Sequence, residues 1–265
     1  MSSVRRPKLG QHFLRDPRFS RRLEEAVQVE PGELILEIGP GRGGMTRRLA
    51  SRAGRLVAVE LDPALATSLE AEFQNEPRIE IVRGDILKTD LRALCERQGV
   101  KRCFVFGNLP YYITSPILLH LFAARASIRR MALLVQREVA ERIAAAPGTR
   151  EYGSLSVVAQ CHAEPRIVLS IPPGAFSPPP NVYSALVDFR IVPRFPEWDE
   201  QTLEAFLAFV HRCFARKRKN LLNNLTAVYS RERATNALRA ASVDQHARAE
   251  QLSPEQLARL FDLLR

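Results

Sequence analysis

Between Gly32 and Leu87, short apolar runs alternate with stretches of helical spacing, the pattern of βαβ units that feed a parallel sheet. ELILEIG (33–39) reads as a buried strand and runs into PGRGG and a helical MTRRLASRA that Gly54 closes. RLVAVEL (55–61) predicts the next strand, Pro63 to Phe73 a helix, and RIEIVRG (78–84) a third strand. CFVFGNL (103–109) and RMALLVQ (130–136) are near-continuously apolar, as strands covered on both faces are. SLSVVAQ (154–160), IPPGAFSPPPNV (171–182) and YSALVDFRIV (183–192) read as late sheet strands separated by a rigid loop. Pro178 to Pro180 can join neither a helix nor a central strand, so that connection is exposed and stiff. VPRFPEW (192–198) reads as a linker, and from Asp199 the pattern is helical only, ending in a helix with Ser253 as its N-cap and Glu255 in its first turn. The predicted architecture is α/β, with a doubly wound domain over 30–192, a basic arm over 1–29 and a small all-helical domain over 199–265.

Charge sharpens the picture. Basic residues number 39 against 29 acidic ones, a net charge of +10, and such an excess points to a polyanionic partner, nucleic acid ahead of membrane. Arg or Glu interrupts every hydrophobic stretch before it reaches the roughly 18 to 20 residues that cross a bilayer. MSSVRRPKLG is followed by QHFLRDPRFSRR, which has no apolar core for a signal peptide, so the expected location is the cytoplasm. Cys95, Cys103, Cys161 and Cys213 are widely spaced, with no C-x-x-C pair; buried, reduced thiols are expected and no metal site is predicted.

The chemistry gathers at predicted strand ends. Gly39, Gly41 and Gly44 in EIGPGRGG satisfy G-x-G-x-x-G between a strand and a helix, and Glu60 ends the next strand, where a ribose hydroxyl pair needs acceptor oxygens. A nicotinamide oxidoreductase and an S-adenosylmethionine methyltransferase both predict this much. In RGDIL, Asp85 can accept from an adenine amino group while the Ile86 amide addresses a ring nitrogen, which favours the methyltransferase; Asp85 can equally cap a turn. The most telling segment is Asn108-Leu109-Pro110-Tyr111, at the carboxyl end of a strand. An exocyclic adenine amine is a poor nucleophile because its lone pair is delocalised into the ring. The Asn108 side-chain oxygen and the Leu109 carbonyl, held rigid by Pro110, can each accept one N–H and turn that lone pair toward a sulfonium methyl. Tyr111 offers an aromatic face for the base.

These residues resemble the ribosomal RNA adenine N6,N6-dimethyltransferases, and within them the bacterial small-subunit type. The match is ordered along the chain: GQHFL (10–14), EIGPGRGGMT, VAVELD, GDIL, GNLPYYITSP, VQREVAERI (135–143), YGSLSV (152–157), FSPPPNVYSAL (176–186), FARKRKNLLNNL (214–225) and RAEQLSPEQLARL. The resemblance implies a Rossmann-like methyltransferase domain, S-adenosylmethionine as cofactor, and cofactor contacts from His12, Leu14, Gly39, Glu60, Asp85 and Asn108. It implies that Phe176 sandwiches the base opposite Tyr111; the pattern alone reads Phe176 equally as core. Tyr112 and Tyr183 depart from the family's usual residues. Arg216, Lys217, Arg218 and Lys219 put four charges on one predicted helical turn, a surface for RNA phosphates. The implied substrate is 16S ribosomal RNA in the small subunit or its precursor, with two adjacent adenines dimethylated by a monomeric enzyme. The alternatives are the 23S ribosomal RNA methyltransferases of macrolide resistance and an assembly factor whose methylation is secondary.

Overall fold

The computed structural model describes residues 11–216 and 219–265; Arg5, Arg6, Lys8, Lys217 and Arg218 therefore lie outside the described residues. The strands are β1 (Phe13–Leu14), β2 (Leu34–Ile38), β3 (Arg55–Glu60), β4 (Ile79–Arg83), β5 (Cys103–Asn108), β6 (Ile128–Gln136), β7 (Ala163–Ile171), β8 (Phe176–Ser177) and β9 (Ser184–Ile191). The helices are α1 (Pro17–Ala26), α2 (Gly44–Ala50), α3 (Pro63–Glu72), α4 (Leu91–Arg97), α5 (Thr114–Ala123), α6 (Arg137–Ala144), α7 (Ser154–His162), α8 (Glu200–Cys213), α9 (Leu221–Leu225), α10 (Arg231–Ala240) and α11 (Pro254–Leu264). Two compact units result, one running through Ala140 and resuming at Arg166–Ile191, the other formed by Glu141–Pro165 with Val192–Arg265.

In the first unit, seven strands lie in the order β4-β3-β2-β5-β6-β9-β7. β4, β3, β2, β5 and β6 are parallel neighbours, and β9 returns antiparallel to β6. The strand order reverses between β2 and β5, which pair Ile38 with Gly107, so a crevice opens beyond their carboxyl ends. β2 is buried at all five positions and the described core of this unit includes Ile35, Leu56, Phe104, Phe106 and Leu134. Local chemistry starts the helices: the Asp62 carboxylate accepts from the Ala64 and Leu65 amides, and Pro63 begins α3.

Three expectations are corrected. SLSVVAQ is not a strand but α7, whose N-terminal amide at Gly153 donates to Ser156 Oγ at 3.0 Å. A short apolar run carries either period, and packing on both sides at Val157, Val158 and Cys161 chose the helix; the strand follows it as β7. Residues 141–165, α7 among them, group with the helical unit. VPRFPEW is no linker either: Phe195 and Trp198 stack at 4.4 Å and pack edge-on against Phe206, closing that unit's core. The described ends of the basic run lie outside α8, which ends at Cys213, whose carbonyl accepts from Asn224 Nδ2 at 2.9 Å. Its described members, Arg216 and Lys219, are exposed, and the Lys219 amide donates to the Arg216 carbonyl (2.9 Å).

Candidate active site

The loop after β2 must turn sharply at the crevice, and Gly39, Gly41 and Gly43 take φ of +64°, +60° and +73°, which side chains disfavour. At Gly41 a Cβ would also fall 2.7 Å from the Phe13 ring. Gly44, the third glycine of the sequence pattern, instead begins α2; Gly43 takes the third left-handed position. Glu60 braces this loop. Its Oε2 accepts from the Gly41 amide at 3.0 Å and its Oε1 from the Asp62 amide at 2.9 Å. Burial pushes its pKa up, and these backbone bonds oppose the shift. Each oxygen keeps a further lone pair for a ribose hydroxyl.

A cavity of about 400 Å³ at the crevice is lined by Leu14, Glu37, Gly39, Arg42, Arg47 and Asn108, among others. Glu37 escaped sequence reasoning, although an acid inside an apolar strand was the available signal. It is 2% exposed, and its Oε2 and the buried Thr46 hydroxyl have no hydrogen-bond partner meeting ordinary geometry. Burial pushes its pKa to about 7, with the Thr46 hydroxyl opposing and the Glu60 charge adding. A second, smaller space of about 50 Å³ adjoins Gly39 and Asn108 and is lined by His12, Gly41, Leu109, Pro110 and Tyr111. The donor set suits a zwitterionic nucleoside: cations at Arg42 and Arg47, a buried acid at Glu37, and glycines that admit close backbone approach.

Asn108 ends β5, and its Nδ2 donates to the His12 carbonyl at 2.9 Å, which leaves Oδ1 as the acceptor end of the amide. Leu109 is buried, its amide donating to the Leu134 carbonyl at 3.0 Å, so the peptide before Pro110 is fixed. Tyr111 is half-buried with its hydroxyl 2.6 Å from Ser184 Oγ; burial pushes the phenol pKa up, so it stays protonated. Asp85 lies beyond β4 on the same carboxyl edge, its Oδ1 accepting from the Leu87 amide at 3.0 Å, with Ile86 buried beside it. Asp85 thus performs the capping role that sequence had left open. Phe176 pairs with Leu14 and sits 4% exposed in the sheet core with Ile171 and Leu186.

A doubly wound sheet with a glycine loop braced by a strand-end acid, and an Asn-Leu-Pro-Tyr segment across the switch point, defines a Rossmann-like methyltransferase. Residues 2–265 match the model of the family described as ribosomal RNA adenine dimethylase. The chain belongs to that family. It is 46% identical over its whole length to ribosomal RNA small subunit methyltransferase A of Acidobacterium capsulatum, covering 93% of that protein. To the protein of the same name from Koribacter versatilis it is 40% identical, over 99% of this chain and 95% of that one. Among solved structures, the 23S rRNA methyltransferase ErmE matches with a TM-score of 0.72 at 32% identity, over 95% of this chain and 99% of that one. A dimethyladenosine transferase from Plasmodium falciparum matches with a TM-score of 0.79 over 94% of this chain and 96% of that one; at 21% identity this speaks for the fold alone. No described helix is long and apolar enough to cross a membrane.

Proposed function

We propose that this chain is an S-adenosylmethionine-dependent ribosomal RNA adenine-N6,N6-dimethyltransferase that acts on two adjacent adenines near the 3′ end of 16S RNA. It works as a cytoplasmic monomer on an assembling small subunit. Family membership and full-length similarity to proteins named small subunit methyltransferase A favour this over the large-subunit reading. The observation that carries the chemistry is Asn108: at the switch point, its amide is turned by the His12 carbonyl so that Oδ1 is the acceptor.

The bound cofactor supplies an electrophilic methyl group on a sulfonium. Glu60 and Asp85 bind its ribose and adenine, with Ile86, Gly39, Gly41, Leu14 and His12 completing its contacts. Asn108 Oδ1 and the Leu109 carbonyl accept the two N–H bonds of the target amine and aim its lone pair. No base is required before attack, because the amine proton becomes acidic only after transfer, when it passes from its place against Asn108 Oδ1 or the Leu109 carbonyl to water. Tyr111, fixed through Ser184, holds the base by its face, while Phe176 supports the β8 side from the core. Arg216 to Lys219 grip phosphates.

The test is to incubate the protein and labelled S-adenosylmethionine separately with naked 16S RNA, small subunits and large subunits, then map the label. Dimethyladenosine at adjacent positions in small-subunit RNA is expected; label confined to 23S RNA overturns the reading.

A further inference from the structure

The first described residues do more than lead into α1. Phe13 and Leu14 pair antiparallel with Ser177 and Phe176, and the amides of Arg15 and Asp16 both donate to the Ala175 carbonyl, at 2.8 and 3.1 Å. The arm is thereby pinned along the proline-rich loop, with His12 over the Asn-Leu-Pro-Tyr segment. His12 uses its two ends differently. Its carbonyl accepts from Asn108 Nδ2, while ring Nδ1 lies 2.8 Å from the Pro178 carbonyl. A carbonyl oxygen only accepts, so Nδ1 carries the proton. The imidazole then lies near-parallel to the Tyr111 ring, with centroids 5.5 Å apart and an interplanar angle of 29°. Tyr111 is itself held at its hydroxyl by Ser184, 2.6 Å away.

Carbon atoms in contact sit about 3.5 Å apart, so a base slotted between two rings needs about 7 Å between them. The spacing of 5.5 Å does not admit one. The place between Tyr111 and the Pro178 carbonyl is therefore fitted to a flat ring carrying an N–H, and a side chain of the protein fills it. We propose that the His12 imidazole is a stand-in for the target base, covering the face of Tyr111 on which the adenine stacks, so that the base enters by displacing it. This rests on the reading of Tyr111 as the stacking platform. Rotation about the His12 side-chain torsions clears that face while the main-chain carbonyl keeps Asn108 oriented. The gate is also a specificity device. A lone unpaired adenine competes with His12 on stacking alone, whereas a substrate gripped at many phosphates brings enough binding energy to displace it.

The experiment compares His12→Asn and His12→Phe with the native protein in methylation of a short, unstructured, adenine-containing RNA at saturating S-adenosylmethionine. Donor affinity is measured alongside by calorimetry, and thermal midpoints confirm that each variant is folded. Asn removes the ring but keeps an N–H for Pro178; Phe keeps the ring and removes the N–H. His12→Asn is expected to lower the RNA KM by about fivefold or more, the worth of one competing stack, with His12→Phe at or above the native KM. An unchanged or raised KM in His12→Asn overturns the gate and makes His12 a support for Tyr111 or a bystander. Weaker donor binding with an unchanged RNA KM overturns the gate and leaves His12 only the cofactor contact already assigned to it. Tyr111→Ala in the same assay separates the two ideas: if its KM is native, the stacking platform itself fails, whereas a raised KM with no fall in His12→Asn removes the gate alone.

Discussion

Glu37 and Asn108 stand at neighbouring strand ends, and each is held by its surroundings in a state that water would not choose. Glu37 holds its proton more tightly in the folded protein, where its pKa is about 7, than at the ordinary 4.5 of a free chain. Because the folded state then binds more protons, stability falls as pH rises between those values; the penalty is absent below and complete above. At about 1.4 kcal/mol per pH unit this amounts to on the order of 3 kcal/mol. Glu37→Gln should remove it, so urea midpoints at pH 5 and pH 8 should differ less in the variant; parallel pH profiles would refute the assignment. In the proposed mechanism Asn108 acts on direction rather than charge. Its acceptor matters most as the amine's lone pair leaves the ring, so Asn108→Ala should cut single-turnover methylation about a hundredfold while subunit affinity survives. A native rate at saturating donor would reduce the segment to a turn. The two positions differ in legibility: Asn108 stood out by its motif, whereas Glu37 gained significance only when the strand around it was seen to be buried.

Among the elements, the five parallel strands were readable because short runs rich in Ile, Leu and Val, bounded by Gly, Asp and Pro and alternating with helical stretches, have few other uses. α7 was not, since two adjacent valines favour a strand while packing distant in sequence decided for a helix. The segment before α8 shows the same limit. Its prolines signal a connection, yet Phe195 and Trp198 form an aromatic cap with Phe206 and Phe261. Trp198→Ala should therefore lower the stability of the helical unit by about 2 to 3 kcal/mol, with Trp198→Phe recovering part of it, as read by circular dichroism in denaturant. A change too small to move the denaturation midpoint would restore the linker reading. The turn after α8 follows from Asn224, whose amide takes the Cys213 carbonyl and so stops the helix short of the basic run.

For the whole molecule, the net charge of +10 is the property most plainly tied to its partner. Replacing Arg216, Lys217, Arg218 and Lys219 by Gln should flatten the salt dependence of small-subunit binding, lowering the log–log slope by about one for each phosphate no longer neutralised. An unchanged slope would make the run a solvated surface. Composition, charge and ordered motifs are properties of the chain itself, so the sequence alone determined a basic protein with a doubly wound sheet, its glycine loop, its strand-end acids and the Asn-Leu-Pro-Tyr segment at a strand end. Which groups meet across gaps of up to 166 residues is set by packing, as in the bond from the His12 ring to the Pro178 carbonyl. Only the tertiary structure decided that Glu60 braces the Gly41 amide, that Phe176 belongs to the core and that His12 lies on Tyr111. Local pattern records how a residue behaves beside its chain neighbours; burial and distant partners assign what its polar atoms finally do.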